Sequence, residues 1–203
     1  MTILSRNDQR GRSMVEMLGV LAIIGVLSVG GISGYSKAMA KFKMTKAQDQ
    51  ISMLLMNIRT AFATSPSYDG LNNKTAVEFA IAPGDMYSGN VGSMTASKQL
   101  NNAFGGGAYV FSCKEPSGGH TCSVNGSAGN EQYFAIVMTN LGREACVSLA
   151  SSDWGTDGLV SIQVGSTTFD ASELPVRMMG AGKNAGDAYG DFGKTADIVW
   201  TYY

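Results

Sequence analysis

At 203 residues, the chain has room for one globular domain and an appendage but not for two full domains. Its 15 basic and 16 acidic residues leave a formal net charge of -1, which excludes a basic face for nucleic acid or another polyanion. Only 15% of residues are charged and 26 are glycine, a balance that predicts short elements joined by many tight turns.

Residues 1–12 are polar, with Arg6, Arg10 and Arg12 against Asp8, and an apolar run follows over residues 14–32 with Glu16 as its one charged residue. At about 1.5 Å per residue, a helix over residues 14–35 spans a hydrocarbon core of ~30 Å. A cleaved secretory signal is the competing reading. The run is longer than a usual signal core, and Gly30, Gly31, Ser33 and Gly34 form no clear small-x-small exit, so the helix reads as a retained anchor. Lys37, Lys41, Lys43 and Lys46 after the run rival the three arginines before it, and charge counting leaves the orientation open. Glu16 requires an account, because a carboxylate inside an apolar helix costs about 2.5 kcal/mol or more. Either it sits protonated or hydrated at the interface, or it meets a cation from another chain and sets register between subunits.

Beyond the apolar run, Ala47, Ile51, Leu54, Leu55, Ile58 and Phe62 recur at helical spacing, with Lys46, Asp49, Gln50, Asn57 and Arg59 elsewhere around the axis. The helix is therefore predicted to continue to about residue 64, before Pro66. Asn72 and Asn73 cap a short helix over 74–80, and Pro83-Gly84 makes a turn. Strands are predicted at 108–112, 133–139, 159–164 and 198–202, with a helix over 143–151 between the second and third. An antiparallel sheet laid on the amphipathic half of the long helix gives both an apolar partner, an α+β domain.

Three cysteines allow one disulfide and one spare thiol, and export to an oxidising space favours the bridge over reduced thiols. Cys113 and Cys122 flank a turn-like segment and are the preferred pair, with Cys146 the other candidate partner. His120 close to Cys122 lacks an orienting third group, which leaves no nucleophile to argue for. Asp153-Trp154-Gly155-Thr156-Asp157-Gly158 and the looser set Asn184, Asp187 and Asp191 offer oxygen atoms without calcium-loop spacing, and Gly105-Gly106-Gly107 precedes no Lys-Ser/Thr pair. No catalytic residues, metal or cofactor are predicted.

The residues Gly11-Arg12-Ser13-Met14-Val15-Glu16, followed by Met17-Leu18-Gly19-Val20-Leu21-Ala22-Ile23-Ile24, resemble the class III leader and N-terminal helix of type IV prepilins. Ala80 to Met86, Asn102 to Gly106 and Glu144 to Ala150 look like the type IVb subgroup. The resemblance implies a leader over residues 1–11, cut by prepilin peptidase between Gly11 and Arg12, with methylation of the new amine at Arg12. It implies a transmembrane and filament-core half over 12–35 and a globular domain over 36–203. It also supplies a cation for Glu16, the N-terminal amine of a neighbouring subunit. Arg12 departs from the apolar residue usual at that place, and no proline interrupts the first half of the helix. Cys146 occupies a helix similar to the disulfide helix of type IVb pilins, although no cysteine follows it toward the C-terminus.

The expected function is that of a non-enzymatic pilus subunit, stored in the bacterial inner membrane and polymerised with copies of itself by the assembly machinery into a surface filament. That filament would serve adhesion, aggregation, motility or conjugation. A type II secretion pseudopilin and a minor adhesin-like pilin are the alternatives, the latter recognising a surface through Tyr68, Tyr87, Trp154, Tyr189 or Trp200.

Overall fold

The computed structural model describes residues 14–96, 98–113, 131–155, 157–165, 167–171 and 195–203. Two compact units divide the chain, Met1–Phe42 and Lys43–Tyr203. One helix, α1 (Met14–Ala61), supplies the described part of the first unit and enters the second. In the first unit it is an apolar helix with almost every side chain exposed. In the second unit, Ala47, Ile51, Leu54 and Ile58 form a fully buried stripe at the spacing the sequence predicts, with Leu55 and Phe62 packed at its margin. The helix stops three residues before the predicted end, where turn bonds from Ala63 N–H to Thr60 and from Ser65 N–H to Phe62 take over.

The body follows as α2 (Asn73–Glu78), a 3-10 turn (Val91–Ser93), β1 (Leu100–Asn101), β2 (Gly107–Cys113), β3 (Tyr133–Gly142), α3 (Arg143–Ala150), β4 (Leu159–Val164), β5 (Thr167–Asp170) and β6 (Thr195–Tyr202). Every strand pairing is antiparallel, in the order β1-β2-β3-β6-β4-β5, so the last strand inserts between β3 and β4. The predicted α+β fold is borne out, with the short β1 and β5 and the 3-10 turn added to it.

Register explains the core. Val110 stands opposite Ile136, Ile136 opposite Trp200, and Trp200 opposite Ile162, while Phe134 faces Tyr202 and Met138 faces Ile198. All of these are buried, so one sheet face carries a continuous apolar layer that joins the buried stripe of α1 in a single cluster. Aromatic rings fill its lower end, with Tyr68 against Phe134 at 4.6 Å and Phe134 stacked on Tyr202 at 5.3 Å. Trp200 is fully buried in this layer, which corrects its assignment as an exposed recognition residue. Because Ala196, Ile198, Trp200 and Tyr202 alternate along β6, the period of two sends all four to the core. Between Met138 and Leu141 the β3–β6 register shifts, and Asn140 takes a positive φ of 59° there, its N–H donating to Asp197 Oδ1 at 2.9 Å.

Candidate assembly site

The described part of the first unit is one helix, and its feature is apolar surface. An 18-residue window of α1 is apolar enough to cross a membrane, and none of it is buried. Val15, Val26, Val29 and Ile32 each leave more than two thirds of their surface bare. Glu16 lies in the first turn of α1, exposed, and among the described residues it has no ion-pair partner. That end of a helix carries unsatisfied N–H groups and partial positive charge, which favours a carboxylate. Gly11 and Arg12, the predicted cleavage pair, lie outside the described residues.

In the second unit, polar side chains on both shoulders of α1 tie it to the body. At about 100° per residue, Lys46, Gln50 and Asn57 fall on one shoulder of the buried stripe and Gln48 and Arg59 on the other. On the first shoulder Lys46 Nζ pairs with Asp85 at 3.0 Å, and Gln50 Nε2 donates to the same carboxylate at 3.0 Å. Gln50 Oε1 accepts from Ala103 N–H at 3.1 Å, and Asn57 Nδ2 donates to the Ile81 carbonyl at 2.9 Å. Burial pushes the Asp85 carboxyl up, but the hydrogen bonds and charge from Lys46, with the Gln50 bond, outweigh it and hold the carboxyl below its usual range. On the other shoulder Gln48 donates to Ser152 Oγ, and Arg59 donates to the Asp157 carbonyl while its guanidinium lies 5.6 Å from the Tyr202 ring centre. Gln50, set apart from the apolar face in the sequence reading, is 3% exposed, and its buried amide is satisfied by the Ala103 N–H and the Asp85 carboxylate.

Two of the segments that carry the weaker resemblance, 80–86 and 102–106, receive the bonds of the first shoulder. Asn102 Oδ1 accepts from Phe104 N–H and Gly106 N–H, and its Nδ2 donates to the Gly107 and Thr139 carbonyls, which knots the turn before β2. Glycine is obligatory at 106, since a Cβ there would stand 2.1 Å from the Thr139 carbonyl oxygen. Asn72 caps α2 as predicted, accepting from Lys74 and Thr75 N–H. Its neighbour Asn73 does something the sequence reading missed: fully buried, it donates to the Lys98 and Ala108 carbonyls and accepts from Val110 N–H, sewing α2 to β2.

Cys113 ends β2 and is disulfide-bonded, while Cys122 lies outside the described residues. Cys146 is a free thiol buried on the inner face of α3, where burial, with Asp197 nearby, pushes it up to about 11. It is a packed core residue. Among the described residues no three or more His, Cys, Asp or Glu side chains are grouped to hold a metal, and Asp153 Oδ1 is occupied by Gly155 N–H. His120, Tyr189 and the set Asn184, Asp187 and Asp191 lie outside the described residues. Tyr68, Tyr87 and Trp154 are half-buried against the core.

The PilS N terminal family model matches residues 41–202. The major structural subunit of bundle-forming pilus from Escherichia coli O127:H6 is 26% identical over 156 residues, covering 76% of this chain and 70% of that protein. Toxin coregulated pilin of Vibrio cholerae is 25% identical over 162 residues, 79% of this chain and 65% of its own length. Among solved structures, the type IV b pilin from Salmonella typhi superposes with a TM-score of 0.49 at 20% identity, over 80% of this chain and 98% of that one. TcpA from Vibrio cholerae El Tor biotype gives 0.45 at 14% identity, over 79% and 99%.

Proposed function

The chain belongs to the PilS family of type IV pilins, and from that premise we propose that it is a structural, non-enzymatic subunit of a type IVb-like pilus, held in a bilayer by α1 before assembly. The observation that carries the reading is the contrast along α1. One helix buries a stripe in its own body over Ala47 to Ile58 and leaves its apolar residues from Met14 onward bare. Bare apolar surface of that extent requires lipid or protein around it. In the membrane lipid covers it; in a filament the same helices of neighbouring copies do, through close packing and not through a further hydrophobic gain.

Processing fits the same scheme. Prepilin peptidase cuts between Gly11 and Arg12 on the cytoplasmic side, and residues 12–35 become the filament-core segment. The new amine at Arg12 of one copy then pairs with Glu16 of its neighbour, converting an isolated carboxylate that costs about 2.5 kcal/mol in hydrocarbon into a device for axial stagger. In the exported body the disulfide runs from Cys113 to Cys122, a reading supported by the free state of Cys146.

The test is intact mass and N-terminal sequencing of the membrane-extracted chain, made with and without a prepilin peptidase, followed by electron microscopy of the cell surface. A start at Arg12 that depends on the peptidase, together with long filaments containing the chain, is expected. An uncut Met1 chain, or processing without filaments, overturns the proposal; short periplasmic assemblies in place of long filaments would convert it to a secretion pseudopilin.

A further inference from the structure

Two irregularities sit side by side at the end of α2. Phe79 leaves 73% of its surface exposed, the largest share of any bulky apolar side chain described in Lys43–Tyr203. The next residue, Ala80, has a φ of 56°, a left-handed conformation that residues with a side chain adopt only at a cost. The turn is locked by bonds from Phe79 N–H to Thr75, Ala80 N–H to Val77 and Ala82 N–H to Ala76. Two residues on, the Ile81 carbonyl is tied to Asn57 on the first shoulder of α1. The fold thus holds an aromatic ring outward where relaxation of Ala80 would let the chain take another course.

A complementary surface lies on the other shoulder. Leu55, Met56, Ala63 and Trp154 line an apolar groove of about 560 Å³, with the charges of Arg59 and Asp153 beside them. Its walls are fixed: Trp154 Nε1 donates to the Leu149 carbonyl at 2.7 Å, its ring meets Trp200 edge-on at 5.3 Å, and Arg59 is held by the Asp157 carbonyl. Met56 is exposed and flexible enough to mould around a ring.

Resting on the reading that the chain polymerises, we infer that Phe79 of one copy seats in the Leu55, Met56, Ala63 and Trp154 groove of the next copy. An open helical polymer requires two different, mutually complementary patches on each subunit. Here the projecting ring and the groove occupy opposite shoulders of the same helix, as a head-to-tail contact needs. The charges agree as well: Lys74 and Glu78, 3.7 Å apart, accompany the ring, and Arg59 and Asp153 accompany the groove, so each side offers one charge of each sign to the other.

The experiment uses the full chain in cells that assemble it. Cysteines placed beside the ring and in the groove, as Glu78→Cys with Thr60→Cys, leave Phe79 and the apolar lining intact. A short bis-maleimide applied to sheared filaments is expected to give a ladder of covalent multimers, with none from either single variant. Phe79→Ala is expected to lower the filament yield about tenfold, as for truncation of a buried aromatic anchor, with the membrane pool and the unfolding midpoint unchanged; Phe79→Leu should restore most of it. Filaments that form from the double-cysteine chain without a ladder, or a full yield from Phe79→Ala, overturn the contact while leaving the pilus function standing. A chain with native residues that is processed and never forms filaments overturns the function, and the contact with it.

Discussion

Tyr202 shows how one atom of a buried residue can count against the fold that its ring supports. Its ring is buried, stacked on Phe134 and faced by Arg59, yet its hydroxyl has no hydrogen-bond partner among the described residues, and the same holds for the Trp200 indole N–H. Burial raises the phenol well above its ordinary range, with Arg59 acting weakly against it, so the group stays neutral. A buried polar atom without a partner costs about 1–3 kcal/mol, and deleting it while keeping the ring removes the cost. Tyr202→Phe is therefore expected to unfold at an equal or higher urea concentration, and a clear fall in the midpoint would contradict the unpartnered hydroxyl. Asp85 behaves in the opposite sense. Its carboxyl is held below the usual range in the folded chain, so it stabilises the fold above the unfolded value of about 3.9 and loses that contribution as pH falls through the lowered folded value. Urea midpoints measured from pH 6 downward should decline less steeply in Asp85→Asn than in the parent, an effect kept small by exposure of the Lys46 pair.

At the scale of elements, the adjacent asparagines of α2 separate a local from a long-range role. Asn72→Ala removes an N-cap and is expected to cost about 1 kcal/mol. Asn73→Leu leaves two carbonyls and the Val110 N–H without their partner in the core, and is expected to cost about 2–3 kcal/mol and to loosen β2 in amide exchange. Equal midpoints for the two variants would sink the distinction. The sequence made the cap legible but not the stitch, because a cap is read from neighbours while Asn73 answers to Ala108 and Val110 across a long stretch of chain. The long helix, α3, β2, β3, β4 and β6 were legible because their apolar residues recur at regular periods. Strands β1 and β5 were not, since two and four residues are too short to display a period. Gln50 was readable in principle: it lies three after Ala47 and four before Leu54, at the edge of the apolar stripe, and only its polarity argued it outward. Trp200 was likewise misplaced by residue type when the alternation along β6 placed it inside.

For the molecule as a whole, the division at Phe42 and Lys43 separates the packed body from the stretch of α1 that leaves its apolar side chains bare. The core cluster draws on α1 only from Ala47 onward, whereas Glu16 is exposed in the other unit. Substitution at Glu16 should therefore leave body stability alone. Membrane retention should be at least as good, since removal of a carboxylate from an apolar helix lifts a penalty of about 2.5 kcal/mol. Assembly is where a loss is expected: under the pairing proposed above, the neighbour's N-terminal amine would then enter an apolar bundle without its counter-charge, and a lone buried charge is worse than no charge at all. Glu16→Ala, compared with the parent at equal expression, should give an unchanged urea midpoint of the body, an undiminished membrane fraction and few or no filaments. Glu16→Gln, which keeps the shape and a hydrogen-bond acceptor but not the charge, should also fail if the charge is what sets the stagger, and should succeed if a polar contact suffices. Abundant filaments from both variants, seen by negative-stain microscopy, would remove Glu16 from the assembly mechanism and leave the packing of the bare apolar helix as its basis.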